Sequence, residues 1–209
     1  FFHNRWCPLE PWDDSLPVML KQQKDVASHM VTDHYHYFED GGAHYCTRYG
    51  TWEFFRGQEG DPWKGQVAQP PVPDHINGKG KHQDWVNRQF MDRADRLPIN
   101  QSFNAAQEYL DRNHDQDNWF LQLETFDPHE PWHTMREHRD RYAEHFDNYD
   151  GPLFDWPGYQ PVNETPEQIE EAQHRYAALL SLCDQRMGDI LDTFDMHNLW
   201  EDTDRKSVV

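Results

Sequence analysis

The chain has 209 residues and carries 38 acidic against 19 basic side chains, which gives a formal net charge of -19. So negative a chain repels nucleic acid and anionic membrane surfaces, and neither is expected as a partner. The aromatic content of 14%, with nine tryptophans, argues against disorder, because disordered chains are poor in large apolar side chains. No run approaches the ~18 apolar residues of a membrane span.

The first part of the chain predicts a helix and a strand, followed by long loops. Residues 13–23 are typical of a short helix that Asp13 or Asp14 caps, with a proline in its first turn. Val26–Thr32 predicts a short strand. Residues 48–65 indicate irregular structure or another short strand, and the Pro- and Gly-rich stretch 66–82 predicts a surface loop or linker.

Helical spacing returns over residues 83–95 and 101–113, and residues 119–126 alternate as a strand does. A Gly- and Pro-rich loop follows over 151–163. Thr165-Pro166-Glu167-Gln168 then predicts the start of a long helix whose apolar stripe faces the core. Strands separated by helical stretches of ten or more residues predict βα units. The fold class expected is therefore α/β with a mostly parallel sheet.

Two histidine motifs follow predicted strands. His34 and His36 come after the first strand, and their spacing alone favours solvated surface residues over metal ligands or an anion- or proton-handling pair. His129 lies between Pro128 and Pro131, which suits either a presented side chain or a turn with a solvated histidine. Because ligands of open α/β sheets bind outside the carboxyl ends of the strands, both motifs are candidate site residues.

A third candidate is the segment from Arg56 to Trp63. It is suited to binding a sugar or an anion through these two side chains, but a packed surface loop is the reading that its composition favours. The three cysteines, Cys7, Cys46 and Cys183, lie far apart and suggest neither a disulfide framework nor a CxxC metal site. The sequence contains no GxSxG, no Gly-rich phosphate loop and no HExxH motif.

Taken together, these stretches resemble the sulfatase family of the alkaline-phosphatase-like superfamily. Pro8–Lys21 resembles the segment after the family's nucleophile helix, and Met30–His36 stands where many sulfatases have a strand that ends in GKWH. Trp52–Trp63 is similar to a block of one bacterial-type branch, and Phe120–Trp132 to a strand that ends in a PH-x-P loop. Ala178–Thr203 resembles a helix with the pattern D-x-x-x-G-x-[IL]-L-[DE].

The resemblance implies a sulfuric ester hydrolase. Its fold would be a partial alkaline-phosphatase-like α/β/α sandwich over residues 1–203, without the family's N-terminal and C-terminal strands. His36 matches the histidine beside the family's nucleophile and His129 matches its second sulfate-binding histidine, so both are expected to be catalytic. Substrate contacts are expected from His34, which falls at the lysine position of GKWH, and from Arg56.

The resemblance also implies a formylglycine nucleophile and Ca²⁺ in the intact protein, with a small-molecule or glycan sulfate ester as substrate. The family's C/S-x-P-S-R motif does not occur here, since Cys7 is followed by Pro-Leu-Glu, and the paired aspartates that bind its metal are not found either. We therefore expect the 209-residue chain to be an internal piece of a longer enzyme, inactive alone and without metal ligands.

Residues 204–209 are expected to be a non-native tail. The codons GAT CGG AAG AGC GTC GTG would encode these six residues, and that string matches a common sequencing-adapter sequence. They are therefore left out of the predicted catalytic domain.

Two other functions stay open at this point. One is a phosphonate or phosphodiester hydrolase of the same superfamily, which a plain threonine nucleophile would indicate. The other is a non-catalytic carbohydrate-binding protein that uses its Trp-rich loops, which glycan binding without hydrolysis would indicate.

Overall fold

A computed structural model of the protein describes residues 9–10, 12–39 and 44–206. Within them, one parallel sheet consists of β1 (Ala27–Thr32), β2 (Thr51–Phe54) and β3 (Trp119–Glu124), in the spatial order β2-β1-β3. The α-helices are α1 (Leu16–Lys24), α2 (Lys81–Arg88), α3 (Pro98–Asn113), α4 (Arg136–Arg139), α5 (Ala143–Asn148) and α6 (Pro166–His197).

The central strand β1 pairs with both neighbours in parallel, so that Met30 stands opposite Trp52 on one side and Gln122 on the other. All but the first residue of β1 are buried. A parallel sheet with helical crossovers confirms the α/β class that the alternation of strand and helix patterns predicts. The arrangement is consistent with part of the expected alkaline-phosphatase-like sandwich.

Helix α3 covers the sheet, and α6 packs on α3. The imidazole of His29 on β1 stacks on the Tyr109 ring of α3, with 4.8 Å between ring centroids. Burial of apolar side chains between these layers stabilises the fold by about 25 cal/mol per Å² removed from water. The core cluster consists of Met91, Leu97, Ile99, Phe103, Ala106, Leu110, Leu179, Leu182, Ile190, Phe194 and Leu199.

Helix α1 begins three residues later than the sequence predicts. Ser15 occupies the N-cap position, and the predicted cap at Asp13 or Asp14 is wrong. The Asp13 carboxylate instead accepts a hydrogen bond from the Glu10 backbone N–H at 2.8 Å, which closes the preceding turn. Pro17 lies in the first helical turn as expected, where its missing N–H has no intrahelical partner to lose.

The predicted start of α6 is confirmed by a capping box. The Thr165 hydroxyl accepts from the Gln168 backbone N–H at 3.3 Å, and the Gln168 side chain accepts from the Thr165 N–H at 3.0 Å. Two N–H groups at the helix start are satisfied in this way. The helix ends at His197, and its C-cap Asn198 takes a left-handed conformation with φ of 54°.

Other elements depart from the expected bounds. The helix predicted over 83–95 is shortened to α2, and a 3₁₀ turn follows at Ala94–Arg96. Residues 204–206 of the expected tail form neither helix nor strand, and residues 207–209 lie outside the described part of the chain. None of the described helices combines the length and the apolar character that crossing a bilayer demands.

Candidate functional site

The candidate site lies at the carboxyl edge of the sheet. His34 stands two residues after β1, Arg56 two residues after β2, and His129 five residues after β3. Because parallel strands run in one direction, their carboxyl ends share an edge, which is where ligands of open α/β sheets bind. The edge therefore carries all the predicted site residues.

The ring of Phe126 brings the three predicted histidines together. Its centroid lies 5.0 Å from that of His34, 5.8 Å from that of His36 and 4.3 Å from that of His129. The backbone N–H of Phe126 donates to Asp33 Oδ1 at 2.7 Å. The loops after β1 and β3 thus meet at one aromatic side chain, which the sequence pattern does not single out.

His36 is held between two carboxylates. Its Nδ1 lies 3.1 Å from Glu39 Oε2, and its Nε2 lies 3.2 Å from Glu59 Oε2. A carboxylate only accepts hydrogen bonds, so both contacts are hydrogen bonds at once only when both ring nitrogens carry protons. The two carboxylates therefore hold the ring of His36 in one orientation at the edge of the sheet.

His34 is anchored to the last residue of β3. Its Nδ1 lies 3.0 Å from Glu124 Oε1, and the Tyr37 hydroxyl donates to the same oxygen at 2.6 Å. Burial by itself raises the pKa of Glu124, but the hydrogen bonds of His34, Tyr37 and Gln122, together with the charge of His34, outweigh burial and lower the pKa below its usual value. Glu124 is therefore a charged group that fixes the orientation of His34.

His129 is the most exposed of the three histidines, with 39% of its side chain accessible. Its Nδ1 donates to the Glu130 backbone carbonyl at 2.7 Å, so Nε2 is the nitrogen that can meet a ligand. The peptide bonds that precede Pro128 and Pro131 are both cis. The His129 side chain faces solvent beside the Phe126 ring.

Arg56 makes a bidentate ion pair with a residue of its own loop. Its Nε and one terminal nitrogen lie 3.1 and 2.6 Å from the two carboxylate oxygens of Asp61, which is fully buried. Asp61 also accepts from the Gly57 N–H at 2.9 Å. The Asp61 hydrogen bonds raise the pKa of Arg56. The pair stabilises the loop, and a substrate contact for Arg56 stays a prediction.

Two further acids lie at this edge. Asp33 is fully buried, and its Oδ2 has no hydrogen-bond partner among the described residues. Burial raises the pKa of Asp33 well above its usual value, and the charge of Asp127 raises it further. Burial also raises the pKa of Asp127 to about 7, although Gln58 donates to its Oδ1 at 2.5 Å. The pair therefore retains protons at pH values where surface aspartates have none.

The described carboxylates at this edge do not fit a calcium ion by themselves. Protein sites hold Ca²⁺ with six to eight oxygen ligands. Here the Glu124 and Glu59 carboxylates contact histidines, and Asp127 contacts Gln58. Within the described ranges, side chains spaced to share an ion are found on α5 and α6 instead. The chemistry available at the edge is that of histidines and carboxyl groups.

The two cysteines in the described part of the chain, Cys46 and Cys183, are not suited to act as nucleophiles at this edge. Cys46 is buried and Cys183 is half-buried on α6, and both are free thiols. Burial raises the pKa of Cys46 to about 11 and raises that of Cys183 as well, so both stay protonated. Cys7 lies outside the described residues.

Comparison with known proteins identifies the family. A family model described as Sulfatase matches residues 7–203. A search of curated proteins gave no significant match. The family match supports a hydrolase of the sulfatase type, for which a sulfate ester is the substrate. Since the match extends over nearly the whole sequence, the chain belongs to the sulfatase family.

Proposed function

We propose that the chain supplies the histidine-bearing part of a sulfate ester hydrolysis site, with His36 and His129 as catalytic residues. The observation that carries the proposal is the convergence of these two side chains and His34 around Phe126 at the carboxyl edge. Family membership supports the reaction class. A small-molecule or sugar sulfate is the proposed substrate.

Each histidine has a role that follows from its contacts. His36, between two carboxylates, transfers a proton at or beside the nucleophile. His129 offers Nε2 to an oxygen of the sulfate or of the leaving group, where a protonated imidazole offsets developing negative charge. His34 and Arg56 contact the substrate in this proposal.

The formylglycine nucleophile and Ca²⁺ of the family belong to the proposal, with their residues outside this sequence. The C/S-x-P-S-R motif that would supply the nucleophile does not occur in it. A bound Ca²⁺ would offset negative charge on the sulfate oxygens. The residues of this chain orient the ester and move the proton.

The test is an aryl sulfate assay of two polypeptides, the 209-residue chain and the product of the complete reading frame. We expect turnover from the second alone. In that protein, His36→Gln and His129→Gln should each lower kcat about 10²–10⁴-fold, the usual contribution of acid–base catalysis. His114→Gln is the control, because that ring stacks on His197 at the far end of α3. Full activity of both site variants would refute the assignment.

The same assay separates the alternatives. Preferred hydrolysis of a phosphodiester or phosphonate, with a plain threonine nucleophile in the complete gene, would favour that branch of the superfamily. Retention on immobilised glycans with no hydrolysis of any ester would favour a carbohydrate-binding protein. Turnover of aryl sulfate by the 209-residue chain alone would contradict the proposed location of the nucleophile.

A further inference from the structure

A second cluster of ionisable side chains lies in a pocket between α5 and the start of α6. The pocket has a volume of about 940 Å³, and His145 and His174 both line it. Their rings stack with 3.9 Å between centroids. Four acidic side chains and one arginine also line the pocket: Glu144, Asp150, Glu167, Glu170 and Arg141. The excess of carboxylates favours a cation as ligand.

The hydrogen bonds of His145 determine which of its nitrogens faces the pocket. Its Nε2 lies 2.8 Å from Oε2 of Glu171, whose carboxylate is fully buried and also contacts Arg175. Since a carboxylate only accepts, Nε2 carries the hydrogen, and Nδ1 of the neutral ring presents its lone pair. That Nδ1 lies 3.9 Å from the carboxylate of Glu170.

His174 is oriented by its own helix. Its Nδ1 donates to the backbone carbonyl of Glu170 at 2.8 Å, which leaves the Nε2 lone pair for a ligand. Metal-binding histidines characteristically donate their second N–H to a carboxylate or a backbone carbonyl, because the bond fixes the tautomer. His145 donates to a carboxylate, and His174 donates to a backbone carbonyl.

We propose that His145, Glu170 and His174 form a binding site for a divalent cation of the zinc type. One ligand atom from each residue lies within 4.8 Å of the other two. A tetrahedral ion with bonds of about 2.0–2.1 Å draws such atoms to about 3.3 Å from one another. Glu170 can make that approach, because 62% of its side chain is exposed.

The stacked rings must also open for an ion to bind, since imidazole lone pairs lie in the ring planes. A tilt of the His174 ring would bring both lone pairs onto one point. Two nitrogens and one carboxylate oxygen suit zinc, whereas calcium and magnesium prefer oxygen ligands. The bound ion would join α5 to α6, and water would complete the coordination.

The site is independent of the proposed sulfate ester chemistry, because the two share no residue. Glu170 and His174 stand four residues apart on α6, and that spacing puts two ligands on one helix face. His145 lies near them only because α5 packs against α6, and the sequence pattern does not predict that packing.

The experiment is a Zn²⁺ titration of the metal-free 209-residue chain by calorimetry, with Co²⁺ absorption as a readout of coordination. We expect a site for one Zn²⁺ and the visible bands of four-coordinate Co²⁺. Glu170→Gln and His174→Gln should each weaken Zn²⁺ binding by at least about 10-fold, because loss of a group that only orients a metal ligand already costs about 10–100-fold in affinity. Glu170 is exposed, so its variant tests the site without threatening the fold.

The matched control is His197→Gln, which alters another stacked histidine pair. The His114 and His197 rings lie 4.1 Å apart, and His197 Nε2 contacts Asp111 at 2.7 Å. This variant should bind Zn²⁺ as the unaltered chain does. No binding by the unaltered chain, equal binding by all variants, or a loss confined to His197→Gln would each overturn the proposal.

Discussion

Oδ1 of Asp33 accepts a hydrogen bond from the backbone N–H of Phe126 at 2.7 Å, across 93 residues of sequence. The bond joins the end of β1 to the loop after β3. It fixes the aromatic ring that His34, His36 and His129 surround. The buried carboxyl group of Asp33 therefore positions the site while its own contacts are to backbone.

Replacement of Asp33 should separate its role as an acceptor from its role as an acid. Asp33→Ala leaves the Phe126 N–H without its partner and should lower the free energy of unfolding by about 1–3 kcal/mol. Asp33→Asn retains an oxygen acceptor and should retain most of that stability at pH 7. Urea denaturation of both variants measures the difference. Equal stability of the two would mean that the hydrogen bond contributes nothing.

The raised carboxyl pKa of Asp127 predicts a loss of stability as pH rises. The folded chain holds this proton up to about pH 7, whereas the unfolded chain releases it near 3.8. Between these two pH values the unfolded chain has lost the proton that the folded chain still holds, so the free energy of unfolding falls as pH rises. Asp127→Asn removes this contribution and should make the protein about 1–3 kcal/mol more stable than the unaltered chain at pH 8. The pKa of Asp33 is also raised, so this residue changes the stability in the same direction.

Denaturation curves between pH 4.5 and 8 check this prediction. The quantity to compare is the difference in the free energy of unfolding between variant and unaltered chain, in which the contributions of groups distant from Asp127 cancel. A difference that stays constant over the whole range would show that the pKa of Asp127 is the same in the folded and unfolded states.

The sequence predicts the position of the site better than it predicts the contacts that orient the site's side chains. Strand-forming residues stop before Asp33 and before the Asp127-Pro128 step, so the ends of β1 and β3 and the histidines after them could be located. The side chains that contact those histidines could not be predicted. Glu124 is 90 residues from His34. Their contact depends on the register of β1 against β3, which only the folded sheet defines.

Short helices and helix faces show the same limit. Helices α4 and α5 have four and six residues, too few turns for a periodic pattern to emerge. The sequence predicts an apolar stripe along α6 that faces the core. Leu179 and Ile190 on this helix are buried, but its apolar residues Leu180 and Met187 are about 40% exposed. Periodicity identifies the helix, whereas the width of its buried face depends on the crossing with α3.

Glu124→Gln should destabilise the protein by about 1–2 kcal/mol at pH 7, because it replaces a charged acceptor of three hydrogen bonds, from His34, Tyr37 and Gln122. The pKa of Glu124 is lowered in the folded chain, so its contribution is present above the usual value of 4.5 and is lost as pH falls through the lowered pKa. Thermal unfolding at pH 7 and pH 3.5 should show a smaller effect of the substitution at pH 3.5.

The matched control for that substitution is Glu108→Gln. Glu108 pairs with Arg112 on the exposed face of α3, where 66% of its side chain is accessible. An exposed pair of this kind contributes less than about 1 kcal/mol. Equal destabilisation by Glu108→Gln and Glu124→Gln would mean that the contacts of Glu124 with His34 and Tyr37 contribute no more to stability than an exposed ion pair does.

Arg88 joins the loop before α6 to α2 through ion pairs. Of all these substitutions, its replacement should lower the free energy of unfolding the most. Its guanidinium contacts Asp84 at 2.7 Å and Asp155 at 2.6 Å, and all three side chains are almost fully buried. The backbone carbonyl of Asp155 accepts from the Trp132 N–H, which anchors the loop of His129. Arg88→Met leaves two buried carboxylates without their cation and should lower the free energy of unfolding by about 3–5 kcal/mol. Arg96→Met, at an exposed ion pair, should change it by less than about 1 kcal/mol in the same urea titration.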